Sequence, residues 1–330
     1  MITGFLGVGK TTVIRHLLKN NHGRRIAVVI NEFGDVGIDR ALLEGCGVAA
    51  CADEDIVELA NGCLCCTVAD AFLPVMERLG SRDNPPDHIV IETSGLALPK
   101  PLVQAFQWPA IRSRVTVDGV VAVIDAAAVA DGRFVDAPAW QMAQGPHDNP
   151  LAEVFADQLL CADMVALNKT DLVGVETLAV VIGDLSARLR AGVRLVSIRH
   201  GRIEPRLLLG LKAAAEENLS DRPSSHDGLG DHDHDDFESF ALTLPAITDL
   251  DALEARLQAA MVDHDILRVK GFLNVPDKAM RLVVQGVGPR IQHYFDRPWH
   301  ATESRCSRLV VIGLKGLDRP AIAAALGVPL

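Results

Sequence analysis

Aromatic side chains are scarce in this 330-residue chain, with ten Phe, three Trp and one Tyr. Its apolar half is carried instead by Val, Leu and Ala, the composition of a buried parallel sheet covered by helices. Basic residues are in the minority, 32 Lys and Arg against 43 Asp and Glu, for a net charge of −11. No Lys/Arg stripe offsets that balance, so the expected partner is a small molecule or a protein rather than nucleic acid. Long apolar runs are missing too, and none approaches the roughly 20 residues that span a bilayer. The longest, "GVVAVIDAAAVA", is interrupted by Asp125 and reads as a strand running into a helix. No membrane partner is expected.

Cysteine is sparse and unevenly spread, at positions 46, 51, 63, 65, 66, 161 and 306. That is not a disulfide framework for a chain of this size, and a bond between the adjacent Cys65 and Cys66 would be strained. No secretory signal pattern is visible, so the expected setting is the reducing cytoplasm, where thiols stay free to act as ligands.

What is present begins with "MITGFLGVGKTT". Gly4, Gly9, Lys10 and Thr11 fit G-x-x-x-x-G-K-[ST], in which glycines let backbone N–H groups curl around phosphates at a helix N-terminus. Lys10 would reach the β- and γ-phosphates, and the Thr11 hydroxyl would sit on Mg²⁺. A strand of about five residues should precede such a loop. Only Met1, Ile2 and Thr3 do, so the sequence is expected to begin downstream of its natural start.

Further strands are expected in "RRIAVVINEFGD", "DIVELANG", "HIVIETSG", "GVVAVIDA", "MVALNKTD" and "VRLVSI", with helical patterns such as "DAFLPVMERLG" and "LAEVFADQLLC" between them. This alternation predicts an α/β fold, a doubly wound, mostly parallel sheet with ligands at the strands' carboxyl ends. Glu92 opens "ETSG" at a strand tip, where a carboxylate can hold Mg²⁺ and Gly95 lets the backbone approach a γ-phosphate. In "NKTD", Asp171 can accept from the N1–H and 2-amino groups of guanine, which adenine does not offer. Lys169 would cover the base and Asn168 brace the loop. GTP is therefore expected over ATP.

"NGCLCCTV" places Cys63, Cys65 and Cys66 in four positions between "NEFGD" and the Glu92 strand. Thiolates select soft or borderline ions. Two of the three plus a ligand from elsewhere is the easier coordination, and an inert buried turn is the bland alternative. From Glu216 to Asp236 the composition turns polar and acidic, predicting a solvated linker. Within it His226, His232 and His234 stand among aspartates and could hold divalent ions loosely. The expected organisation is a nucleotide domain over 1–215, the linker over 216–236 and a small α+β domain over 237–330, with a four-stranded antiparallel sheet and helices on one face.

Taken in order, "ITGFLGVGKTT", "NEFGDVGID", "NGCLCCTV", "IETSGLALP" and "NKTD" resemble the CobW family of P-loop GTPases, relatives of the nickel chaperones UreG and HypB. "DILRVKGF", "YFDRPW" and "SRLVVIGL" resemble the family's C-terminal domain. The resemblance implies a GTP-hydrolysing metallochaperone. It puts phosphate binding on the segment from Gly4 through Gly7, Gly9, Lys10 and Thr11 to Thr12, guanine on Asn168, Lys169 and Asp171, and metal on Cys63, Cys65 and Cys66. Glu32 and Asp35 of "NEFGD" would serve hydrolysis or the metal-linked switch, beside Lys10 and Glu92. The implied cargo is Co²⁺ for cobalamin synthesis, delivered to a client such as a cobalt chelatase, with Zn²⁺ the near alternative. A passive metal buffer with structural GTP, and a small-molecule kinase, are rivals of other classes. "NKTD" speaks against the kinase.

Overall fold

The structure, a computed structural model, describes residues 1–31, 55–59, 72–132, 150–224, 237–287, 290–300 and 303–328. Glu32, Asp35, Cys63, Cys65, Cys66 and the three linker histidines lie outside the described residues. Those described fall into two compact units, one within residues 1–224 and one within 237–328.

The first unit is built on short apolar runs that form a seven-stranded sheet: β1 (Ile2–Thr3), β2 (Ile26–Asn31), β3 (Ile56–Leu59), β4 (His88–Glu92), β5 (Val121–Asp125), β6 (Met164–Asn168) and β7 (Arg194–Ser197). Its order is β3-β2-β4-β1-β5-β6-β7 and every pairing is parallel. β1 is only two residues long yet central. Ile2 pairs with Glu92 on one side and Val121 on the other, and Thr93 N donates to Ile2 O at 3.0 Å.

Strands buried on both faces read as unbroken apolar runs, as "IAVVIN" and "VAVID" do. The principal helices are α1 (Lys10–Lys19), α2 (Leu73–Gly80), α3 (Pro99–Ala105), α4 (Pro109–Arg112), α5 (Ala126–Ala130), α6 (Pro150–Cys161), α7 (Val175–Arg188) and α8 (Pro205–Leu208). One cluster packs Phe72, Met76, Leu102 and Phe106 against Ala27, Val29 and Ile91. Another packs Phe155, Leu159, Val181 and Leu185 against Ala122, Ile124 and Val165.

Residues 216–224, read from composition as the start of a solvated linker, pack on this unit instead. The buried Glu216 carboxylate accepts from Thr116 Oγ1 at 2.5 Å and Val117 N at 3.0 Å. The fully buried Arg222 donates to Asp163 Oδ1 at 2.7 Å and to Cys161 O. A polar stretch looks solvated because nothing in its neighbourhood in sequence reveals partners about 60 and 100 residues away.

The second unit carries five strands where four were expected: β8 (Phe237–Leu244), β9 (Ile266–Leu273), β10 (Met280–Val287), β11 (Arg290–Pro298) and β12 (Ser307–Leu314), all antiparallel in the order β11-β10-β9-β12-β8. The overlooked strand is β11, "RIQHYFDRP". It is an edge strand with mostly exposed side chains, so it lacks the apolar alternation that revealed its neighbours. Helices α9 (Leu250–Asp263) and α10 (Arg319–Ala325) supply Leu253, Leu257, Met261 and Ile322 to a core with Val269, Leu282, Val284, Leu309 and Val311.

Candidate functional site

In parallel strands the loops at the carboxyl ends share one edge, and those residues singled out above that the structure describes converge there. β1 ends at Thr3, and the chain turns through Gly4, Gly7 and Gly9, all at positive φ, into α1. At Gly9, with φ 102°, a Cβ would stand 2.6 Å from Asn168 Nδ2, so conformation and space both demand glycine. No side chain caps the N-terminus of α1, which leaves its first N–H groups to the loop. Lys10 is buried, its Nζ donating to Gly4 O at 2.7 Å and Phe5 O at 3.1 Å. Thr11 Oγ1 donates to Glu92 Oε1 at 2.9 Å, a contact made possible because β1 and β4 are adjacent. Thr12 continues the first turn of α1.

The "NKTD" loop follows β6, on the far side of β5. The buried Asn168 ties two segments together: its Nδ2 donates to Val8 O at 2.9 Å, and its Oδ1 accepts from Gly201 N at 3.1 Å. Lys169 adopts φ 60° and sends Nζ to Gly7 O at 2.8 Å and Asp125 Oδ2 at 2.7 Å. Thr170 Oγ1 donates to Ile198 O at 3.0 Å, closing the turn that presents Asp171. His200 Nε2 lies 3.8 Å from Asp171 Oδ2.

Sequence reasoning passed over two participants. Asp125 ends β5, caps α5 by accepting from Ala127 N and Ala128 N, and pairs with Lys169. An Asp directly before "AAAVA" is the available N-cap signal. Gln158 sits on α6 and donates to Gly95 O and Ala97 O, each at 3.2 Å. Its signal is an amide in an apolar helical run. Among the described residues no group of three or more His, Cys, Asp or Glu could hold a metal ion, and no helix is long and apolar enough to cross a membrane.

A phosphate loop on the central strand, a carboxylate on the neighbouring strand tip and an N-K-x-D turn bonded to the loop define the phosphate-loop GTPase class. Residues 1–197 match the CobW/HypB/UreG nucleotide-binding domain and residues 237–328 the cobalamin synthesis protein CobW C-terminal domain. The chain belongs to this CobW family, and it is a GTPase. It is 50% identical over 336 residues to a zinc chaperone CobW of Sinorhizobium sp, covering 99% of this chain and 95% of the relative. A zinc chaperone CobW of Pseudomonas aeruginosa is 51% identical over 338 residues, covering 99% and 89%. Among solved structures, the Zn(II)-bound YjiA GTPase from E. coli is 27% identical, covering 100% of this chain and 98% of that one at a TM-score of 0.44.

Proposed function

We propose that this GTPase is a metallochaperone, taking a divalent ion at Cys63, Cys65 and Cys66 and passing it to a client protein in the cytoplasm under control of bound nucleotide. The observation that carries this reading is where β3 ends. Leu59 pairs with Asn31 of β2, and β2 pairs with the strand that ends in Glu92. The described residues of β2 and β3 therefore end at the edge of the sheet that carries the phosphate loop, and "NEFGD" and the cysteine motif follow them closely in sequence, which supports a metal site sensitive to the γ-phosphate.

In this reading Lys10 releases the Gly4 and Phe5 carbonyls to clamp the β- and γ-phosphates. Asp171 reads guanine, Lys169 flanks the base, and Asn168 holds the phosphate loop against the base loop. The hydroxyl of Thr11 and the carboxylate of Glu92, 2.9 Å apart, are hard oxygen donors of the kind Mg²⁺ takes. Mg²⁺ would there neutralise charge on the transferring phosphoryl group. Glu32 and Asp35 complete the hydrolytic or switching groups. To turn a metal site from mostly formed to mostly open requires differential binding of about 5 kcal/mol, which a γ-phosphate and its ion can supply.

The names of the full-length relatives support Zn²⁺ as cargo ahead of the Co²⁺ that the family resemblance implied. Delivery of Co²⁺ for cobalamin synthesis, to a client such as a cobalt chelatase, is the competing outcome. The test is a competition titration of Zn²⁺ against Co²⁺ with Mg²⁺ plus GDP, repeated with a non-hydrolysable GTP analogue. Tight binding confined to the GTP analogue and lost in Cys65→Ser/Cys66→Ser is expected. Equal affinity in both nucleotide states would leave a passive buffer.

A further inference from the structure

α6 turns one polar side chain toward the nucleotide edge of the sheet. Gln158 is 2% exposed, and its helix neighbours Phe155 and Leu159 belong to an apolar cluster. An amide in such a place is costly unless hydrogen-bonded. Here Nε2 donates to two carbonyls of one short loop, Gly95 O and Ala97 O, both at 3.2 Å. That loop is also closed from within, Ala97 N donating to Ser94 O at 3.2 Å and Leu96 N to Ser94 Oγ at 3.4 Å. On its other side it presses on the phosphate loop. A Cβ at Gly95 would come within 2.5 Å of Leu6 Cδ2 and 2.8 Å of Leu6 N. The loop that follows Glu92 is thus clasped between the phosphate loop and one amide.

The helix carrying that amide is engaged elsewhere. Asp157, next in sequence and also buried, accepts from Ser224 Oγ at 2.7 Å, and Cys161 O accepts from Arg222. Within about one turn, α6 grips both the loop after Glu92 and the packed segment 216–224.

We propose that Gln158 is the positioning residue of the γ-phosphate-sensing loop. By holding the Gly95 and Ala97 carbonyls it aims the Gly95 N–H at the γ-phosphate, and it transmits movement of that loop to α6 and residues 216–224. The inference rests on the reading of Glu92 to Gly95 as the loop that meets the γ-phosphate. The task needs a side chain that donates. Met or Leu would leave two carbonyls without their donor, and a carboxylate would face them with lone pairs.

Gln158→Met, close in volume, tests the idea. The expected result is a fall in kcat for GTP on the order of 10-fold or more, the scale of a misplaced reacting group. KM for GTP and affinity for GDP should stay within about twofold, since an aligning contact matters to the transition state more than to binding. An unchanged kcat overturns the proposal, and so does an equal loss of kcat, GDP affinity and melting temperature, which would mark a purely structural amide.

A second measurement uses the unaltered chain. The ¹⁵N side-chain amide resonance of Gln158 should shift between the GDP and GTP-analogue complexes, and a stationary resonance overturns the proposal even if the variant does not fold. Glu92→Gln separates the two readings. If it hydrolyses GTP normally, the reading of the loop itself has failed. If it is inactive while Gln158→Met is fully active, only the role of Gln158 has failed.

Discussion

Both units bury charged side chains, but the nucleotide edge of the first spends them differently from the sheet of the second. At that edge the buried Asn168, Gln158 and Lys10 and the partly exposed Lys169 all bond to backbone carbonyls of loops, with the Lys169–Asp125 pair beside them, while the buried Arg222, paired with Asp163, lies apart on the packed segment 216–224. In the second, the buried Arg281 bonds to carboxylates, Asp296 Oδ2 at 2.5 Å and Glu303 Oε1 at 3.0 Å, while its guanidinium lies 3.5 Å from the Phe272 ring centroid. Arg297 adds a second cation to Glu303 at 2.7 Å. Bonds from side chain to backbone give loops a shape that a ligand can use or displace. Bonds between ionised side chains lock strands and titrate with pH. The difference separates a region built to change partners from one built to keep them.

Lys10→Ala should have the largest effect. Removing the cation that meets the phosphates should lower GTP hydrolysis by about 10³-fold, the scale of losing a preorganised charge at a transition state. Melting of the second unit should scarcely change, and a matching loss of its stability would break the comparison. Arg281→Ala is the converse. Stranding Asp296 and leaving Glu303 to Arg297 alone should destabilise the second unit by about 3 kcal/mol, the low end for a broken buried pair because Glu303 is partly exposed and keeps one cation. GTP hydrolysis below that melting transition should persist, and a parallel fall in kcat would erase the distinction.

Asn168→Ala comes next. It removes the partners of Val8 O and Gly201 N, which should lower the stability of the first unit by about 2 kcal/mol. Guanine nucleotide affinity should fall with it, and a calorimetric titration with GDP checks both. The mildest effect is one of pH. Glu303 is subject to burial, which would raise its pKa. The hydrogen bonds from Arg297, the His300 N–H and the charges of Arg297 and Arg281 outweigh this and hold it down, at about 2. Its contribution is therefore complete above the ordinary value near 4.5 and is lost as pH falls toward 2. An acid titration followed by calorimetry should show the second unit weakening in that window, and Glu303→Gln should flatten the response.

The sheet of the first unit was legible because its strands are continuous apolar runs and its loops carry motifs with fixed chemistry. The residues from Gly4 to Thr11, Glu92 and the "NKTD" turn do meet at one edge. Asp125 and Gln158 escaped because a lone polar residue declares its partner only in three dimensions. β11 escaped because an edge strand with polar neighbours has no periodicity to detect. Glu216 and Arg222 misled for a related reason, since charged residues in a polar stretch look solvated until Thr116, Val117 and Asp163 are seen around them. The cysteine motif that first marks the chain as unusual lies outside the described residues.

The packing of residues 216–224 also determines where this protein can be cut. A GTPase fragment ending at residue 215 would strip Glu216 from Thr116 and Val117, and would leave Asp163 with Arg190 but without Arg222. One ending at residue 224 keeps these bonds and the Ser224–Asp157 contact. Two buried charges thus carry the folding unit past the change in composition, through residue 224 at least. A fragment ending at residue 215 should therefore melt below one ending at residue 224.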